Sequence, residues 1–547
     1  MMIWKYLSKS ILQEKVGEPL LDRLETVSPA LPDLATDPLK IYTKNNLILI
    51  YNAFCPRDCF KNKKFMATVL NSVPYNKLEK LCESTGVGIV TNNFKDKVAA
   101  HLRKGWVDKE YCQKFIEWAE LTKDFIPVEK CAVPDQELFT QVSKPFKVLK
   151  DYQYDVYARS IEMLDVHHER FVIQMPTGSG KTRTAMEFIT QFINCRSENC
   201  VVVWLAHSQE LCEQSMQCFK EVWSHVSNKP LRTIRCWGEH GSLPYSFSES
   251  AFIVAGFQKL HSLFKKNKIP FQELKRRVAL IIVDEAHRVL APTYKEVTKA
   301  LLGSSTRLVG LTATPGRSVV HDDENKRFSE FFFNKIVNIE TRKNESVIEL
   351  LKKKRVISKT TVEYLVSGRT IKLSGQELTS LEKYLDFPQG FLKRVGADDI
   401  RNFEIIRRLY KECKENRSIM FFSCSVEHSR FICSVLLYLG YKAAHIDAST
   451  ETKMRSSTLS DFKSKKIQIL CNYEILSTGF DAPKTDVVFI SRPTNSLVLY
   501  SQMIGRGLRG PAIGGTEHCK VINVKDDLVG VKDVDYIYEY FDDYWNE

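Results

Sequence analysis

Two sets of five short apolar runs, rich in β-branched residues and separated by stretches of helical length, constrain this chain more than any other feature. The first set is Phe171–Met175, Val201–Ala206, Phe252–Ala255, Ala279–Val283 and Arg307–Leu311. The second is Ser418–Ser423, Tyr441–Ile446, Ile467–Cys471, Asp486–Ile490 and Cys519–Val524. Continuous rather than alternating apolar runs are what strands buried on both faces require, and helix-length spacers are what parallel crossovers require. The pattern predicts an α/β protein with two tandem parallel-sheet units.

A length of 547 residues leaves room for more than these two units. The expected division is a mainly helical region 1–125, a first unit 126–343, a connector with a helical lead-in 344–416, a second unit 417–525 and an acidic aromatic tail 526–547. Within Pro56–Glu110, eleven Lys and Arg stand against six Asp and Glu. Two helical stretches there, Tyr75–Ser84 and Asn93–Arg103, flank a Gly86-Val87-Gly88 turn and loosely resemble a SAP-like nucleic-acid module. Nucleic-acid or protein-partner binding is the expectation for this region, beside plain helical packing with a solvated basic face.

The formal charge of +13 favours a polyanionic partner over a cationic one. The 15 cysteines are odd in number and scattered, which fits reduced thiols in an intracellular protein better than a disulfide framework. Cys55 and Cys59 have no second pair at finger-like spacing, so ordinary thiols are expected there rather than zinc ligands. No run approaches the ~18 apolar residues of a membrane span, and the first residues lack a secretory core.

The segment Met175-Pro176-Thr177-Gly178-Ser179-Gly180-Lys181-Thr182 follows a strand candidate and opens an amphipathic helix. That context suits a phosphate-cradling loop, although Met175 stands where the strict pattern has a first glycine. The glycines let backbone N–H groups approach phosphate oxygens and the helix start favours negative charge. Lys181 supplies a cation, and the Thr182 hydroxyl can ligate Mg2+. About one hundred residues on, the run Ala279–Val283 ends in Asp284-Glu285-Ala286-His287. Asp284 is placed to hold the metal and Glu285 to polarise an attacking water.

Together with Thr312-Ala313-Thr314 and Gln502-Met503-Ile504-Gly505-Arg506-Gly507-Leu508-Arg509, these segments resemble motifs I, II, III and VI of DEAH-type superfamily 2 helicases, in the right order. Further segments are similar to the RadD-like group and to the helicase subunits of type III restriction enzymes. They are Leu149–Gln153, Leu205–Leu211, Ser477–Pro483 and Arg492-Pro493-Thr494. The zinc ribbon of RadD-like proteins has no counterpart here. The resemblance covers Val148–Val524 and implies two RecA-like domains preceded by the helical region, with ATP and Mg2+ as cofactors.

The resemblance also implies roles residue by residue. Tyr152 and Gln153 would flank and read the adenine, Pro176 to Thr182 would hold the phosphates, and Gly479 and Asp481 would touch the ribose or the hinge. Gln502, Arg506 and Arg509, along one helix face, would reach the γ-phosphate across the interdomain cleft. His287, Thr312 and Thr314 would couple the metal site to the second domain. His207, Ser208, Gln258, Ser423, Thr478 and Arg492 fall at motifs that grip nucleic-acid phosphates without reading bases.

The function implied is an ATP-dependent helicase or translocase, with DNA favoured over RNA because the resemblance is to DNA-acting relatives. Two alternatives use the same residues: an ATPase switch stimulated by nucleic acid without unwinding, and the motor subunit of a restriction or antiviral complex whose nuclease is another chain.

Overall fold

The computed structural model describes residues 3–30, 41–85, 109–126, 134–139, 148–166, 169–196, 198–227, 229–240, 243–266, 269–314, 322–343, 345–384, 386–473 and 484–529. The first unit is built on eight strands: β1 (Gln136–Phe139), β2 (Arg170–Gln174), β3 (Val201–Ala206), β4 (Leu231–Cys236), β5 (Ala251–Gly256), β6 (Val278–Asp284), β7 (Arg307–Thr312) and β8 (Ile336–Asn338). They lie in the order β1-β4-β5-β3-β6-β7-β2-β8. Every pairing is parallel except β1 with β4. The central strands β3 and β5 are buried along their whole length, and so is β7. These are the strands whose unbroken apolar runs made them visible in the sequence.

The second unit carries β9 (Lys359–Lys372), β10 (Ile419–Phe422), β11 (Ala443–Ile446), β12 (Ile469–Asn472), β13 (Val487–Ile490) and β14 (His518–Val529). Their order is β11-β12-β10-β13-β14-β9, parallel throughout. Both units are therefore parallel-sheet α/β domains of the RecA-like kind. All ten strand candidates are strands. The span 344–416, expected as a connector, contributes more than that: β9 runs beside β14 from Lys359↔His518 to Lys372↔Val529 and closes the sheet edge.

The amino-terminal region is helical where described, with helices Lys9–Val16, Glu18–Val27, Lys44–Phe54, Lys63–Ser72, Tyr75–Thr85 and Lys109–Trp118. Its centre is Trp4, fully buried and stacked on Phe60 at 5.8 Å. This core is continuous with the face of the second sheet that carries Phe421, Phe489 and Ile522, and with Phe431 of the helix Val426–Tyr438 packed on it. Arg23 fixes the joint: its guanidinium lies 4.2 Å above the Phe431 ring and donates to Gly396 O and Asp399 at 3.2 Å. Burying an apolar face on each side is what joins helices to a sheet. The helical region thus rides on the second unit. The second SAP-like stretch, Asn93–Arg103, and most of the tail lie outside the described residues. Among the described residues no helix is long and apolar enough to cross a membrane.

Candidate functional site

The phosphate-loop candidate joins β2 to the helix Lys181–Asn194. Gly178 and Gly180 sit at φ +85° and +90°, where a side chain is strained. A Cβ on Gly180 would also fall 2.1 Å from Gln153 Nε2. Gln153 is held there because its amide donates to Ser179 O at 3.0 Å and accepts from Lys150 N at 2.9 Å, while Tyr152 OH donates to the same Ser179 O at 2.8 Å. In this arrangement Tyr152 and Gln153 brace the loop. Met175, in place of the first glycine, is wholly buried and its N–H bonds Thr312 O, so that position belongs to the sheet and needs no glycine.

Asp284 ends β6 and is almost fully buried. Glu285, next to it, has φ +51° and ψ +53°, a left-handed conformation that costs a glutamate roughly 1 kcal/mol or more and is typical of functional turns. The turn brings Glu285 to 4.0 Å from Lys181 Nζ and 3.4 Å from His287 Nδ1. Burial and the neighbouring Glu285 charge push Asp284 up. Burial also works against a charged Glu285, yet Lys181 above all, with His287 and Arg506, holds that carboxyl well below the usual range. Of the pair, Glu285 therefore keeps its charge down to the lower pH. His287 Nδ1 also meets Thr312 Oγ1 at 3.4 Å, and Thr312 Oγ1 donates to Thr314 O at 2.7 Å. The three residues expected to couple form one chain of contacts from the carboxylate.

The second unit closes on this loop. A Cβ on Gly505 would lie 2.3 Å from Thr177 Cγ2, and a Cβ on Gly178 would lie 4.0 Å from Arg509 Cγ. Gln502 is 4% exposed, and its Nε2 is buried without a partner. One expectation is corrected: Arg506 and Arg509 do not share a helix face with Gln502. The helix Leu497–Ile504 stops at Gly505; Arg506 stands on the following turn and Arg509 beyond it, in a bridge to Ile357, where Gly507 packs against Val488 and Gly510 against Arg355 O. Only glycines admit such close approach, and they break the helix that spacing alone suggested.

The expected nucleic-acid residues divide. His207, Ser208 and Gln258 line one cavity of about 460 Å³ together with Trp237 and Lys259. Burial, aided by Arg288, pushes the His207 imidazole down to about 4, so it is neutral at pH 7, and its Nδ1 is buried without a partner. Ser208 Oγ caps the helix Gln209–Val226 by accepting from Leu211 N. Ser423 lies elsewhere and is turned inward: its hydroxyl faces Asn472 O at 2.6 Å and Ser425 O at 3.1 Å. Arg492 is also inward, 7% exposed at the side chain and paired with Asp386 at 2.6 Å. These two side chains hold the second unit together in this arrangement. Thr478, Gly479 and Asp481 lie outside the described residues. Trp237 and Lys259 escaped sequence reading because β4 carries Arg232 and Arg235 and does not read as a buried strand, so nothing placed Trp237 at a strand end.

Residues 146–317 match the family model for "Type III restriction enzyme, res subunit", and residues 401–510 match "Helicase conserved C-terminal domain". The two models fall on the two units, one carrying the phosphate loop and Asp284-Glu285, the other Gln502 to Arg509. The chain belongs to the superfamily 2 helicases. Among its relatives is the "Putative mitochondrial ATP-dependent helicase irc3" of Schizosaccharomyces pombe, 26% identical over 70% of this chain and 58% of that one. The "Putative ATP-dependent helicase IRC3" of Saccharomyces cerevisiae is 24% identical over 71% of this chain and 52% of that one. A "51.5 kDa protein" of a Lactococcus phage is 26% identical over 62% of each chain. This superfamily 2 chain therefore aligns with a little over half of the length of these relatives.

Proposed function

We propose that this protein is an ATP-driven helicase or translocase that acts on nucleic acid, DNA before RNA, with ATP held in the cleft between its two units. The observation that carries this reading is the seating of the Gly505–Arg509 segment on Thr177 and Gly178. It sets two arginines of one unit against the phosphate loop of the other, so hydrolysis and relative domain movement share one place.

The donor set fits a nucleotide with its metal. Two left-handed glycines open the loop, Lys181 stands by it, Thr182 and Asp284 offer the hydroxyl and carboxylate that would hold Mg2+, and Gln502 Nε2 is an unused buried donor. Bound Mg2+ would neutralise charge between the phosphates. Glu285, kept ionised by Lys181, can orient a water toward the γ-phosphate and accept its proton. Arg506 and Arg509 can stabilise charge that develops there, a contribution of roughly 10³-fold or more in related phosphoryl transfers. His207, Ser208, Gln258 and Lys259 offer hydrogen bonds to a backbone rather than to bases, which makes binding sequence-independent and salt-sensitive. DNA is favoured on the resemblance to restriction-enzyme subunits.

The test is ATP hydrolysis by the purified protein, alone and with single-stranded, duplex and forked DNA and single-stranded and duplex RNA, at low and moderate salt. Stimulation by DNA with strand displacement from the fork is the expected result. A rate indifferent to every nucleic acid contradicts the reading.

A further inference from the structure

Where the helical region docks on the second unit it leaves a cleft of about 710 Å³. Tyr51, Phe54 and Phe65 form an apolar wall, and Lys15, Lys61 and Arg430 stand around it. Three cations face one acid, Asp58, among the cleft's charged lining residues. Each cation has a carboxylate nearby: Lys15 with Glu14 at 3.1 Å, Lys61 with Asp58 at 3.7 Å, Arg430 with Asp447 at 3.2 Å. All three cations are 40% or more exposed at the side chain. Pairs this exposed hold their partners weakly and can exchange them for a phosphate at little cost.

The cleft is not isolated. Phe54, Pro56, Asp58 and Arg430 also line a second cavity of about 250 Å³, whose far wall is Ser449, Thr450, Glu451 and Met454. The next residue, Arg455, is anchored on Thr450 O at 3.1 Å and reaches across to Glu210 of the first unit at 2.6 Å. Glu210 is two residues from Ser208, in the wall of the candidate nucleic-acid cavity. The Thr450–Arg455 segment thus touches both the first unit beside its cavity and the cavity that adjoins the cleft under the helical region. The Arg430 guanidinium lies 5.9 Å from the Phe54 ring centre where the two cavities meet. Cations interleaved with aromatic faces are what a single strand needs, because every phosphate is anionic and every base has a face to stack. A duplex would offer phosphates but no free base faces to the aromatic wall.

From this juxtaposition we infer that the cleft between the helical region and the second unit binds a single strand of nucleic acid and extends the track beyond the motor core. Lys15, Lys61 and Arg430 hold phosphates, and Phe54 and Phe65 carry bases. The inference rests on the proposed function, since it assumes that a strand leaves the core at the Thr450–Arg455 segment.

The test uses the full chain and the double variant Lys15→Glu/Lys61→Glu, with fluorescent single strands of about 6 to 30 nucleotides at several salt concentrations. The unaltered protein should bind long strands more tightly than short ones. The variant should lose about tenfold on the long strand and little on the shortest, and its slope of log affinity against log salt should fall by about 1.4 for two lost contacts. Ultraviolet cross-linking of the unaltered protein to a thymine strand, with peptide mapping, should label the segment 51–65. Affinity and salt slope unchanged in the variant, or cross-links confined to the two sheet-bearing units, overturns the inference alone. Failure of the unaltered protein to bind any strand overturns the proposed function with it.

Discussion

Thr177 of the phosphate loop packs directly on Gly505 of the second unit, so closely that a Cβ on Gly505 would meet Thr177 Cγ2 at 2.3 Å. Gly505 itself has φ −57°, a conformation open to any residue. The tightest limit on a side chain here is thus Thr177 rather than the glycine's own φ, although a Cβ would also meet Ser501 O at 2.9 Å.

Gly505→Ala therefore separates closure from folding. Alanine is as good as or better than glycine at such a backbone position, by about 0.5–1 kcal/mol. Thermal stability without nucleotide should change by no more than about 1 kcal/mol, since the helix-like φ is offset by the approach to Ser501 O, while ATP turnover at saturating nucleic acid should fall at least about tenfold as the units are wedged apart. Equal turnover would mean that this contact is not part of the working state.

Lys181→Ala and Glu285→Gln should fail differently. Lys181 stands 4.0 Å from Glu285 and, on the proposed function, would also face the phosphates, so its loss should lower both ATP binding and turnover. Glu285→Gln keeps the shape and removes the base, so ATP should still bind while turnover drops by about 10²- to 10⁴-fold. Isothermal titration beside a hydrolysis assay distinguishes the two.

A buried network in the second unit should respond to mutation without touching the ATP site. Arg401 is fully buried, donates to Asp526 at 2.8 Å and also reaches Ser491 O. Arg401→Ala leaves the Asp526 carboxylate buried and unpaired, a change that typically costs about 3–5 kcal/mol. A large drop in the urea midpoint of the second unit is expected; a surface-like effect would contradict the assignment.

Acid should weaken the same unit through His428. Burial, with the charges of Arg401 and Arg23, holds this imidazole well below its ordinary value, and its Nδ1 accepts from Cys424 N at 3.1 Å. The unfolded chain takes up this proton near pH 6.5 and the folded chain resists it. The stabilising contribution is therefore complete above about pH 6.5 and declines as pH falls below it, by up to about 1.4 kcal/mol per pH unit. Urea midpoints from pH 7.5 to 5 should fall less steeply in His428→Gln, which keeps an acceptor but cannot take the proton.

The strands were legible where a continuous apolar run marks them, as in Val201–Ala206, and illegible where charged or exposed residues interrupt the run. In β9 only Ser367 is buried, with Tyr364 and Val366 turned to solvent, so no buried apolar run marks it, and in β4 Arg232 and Arg235 interrupt the apolar run although the strand is almost wholly buried. The phosphate loop and the Asp284-Glu285 turn were legible because both are local: strand, turn and helix lie within ten residues. Gln153, Ser423 and Arg492 were not, because their partners Ser179, Asn472 and Asp386 lie 26, 49 and 106 residues away. Nothing in their spacing says whether such a polar group turns toward a ligand or toward its own fold. The seam between the helical region and the second unit escaped for the same reason.

The central claim is that the second unit completes the ATP site of the first. It is tested most directly by Arg509→Ala, with nucleotide affinity and single-turnover hydrolysis measured on the same preparation with saturating single-stranded DNA. The account predicts affinity within about threefold of the unaltered protein and a hydrolysis rate lower by roughly 10³-fold. Unchanged hydrolysis, or a loss explained wholly by weaker nucleotide binding, would contradict it.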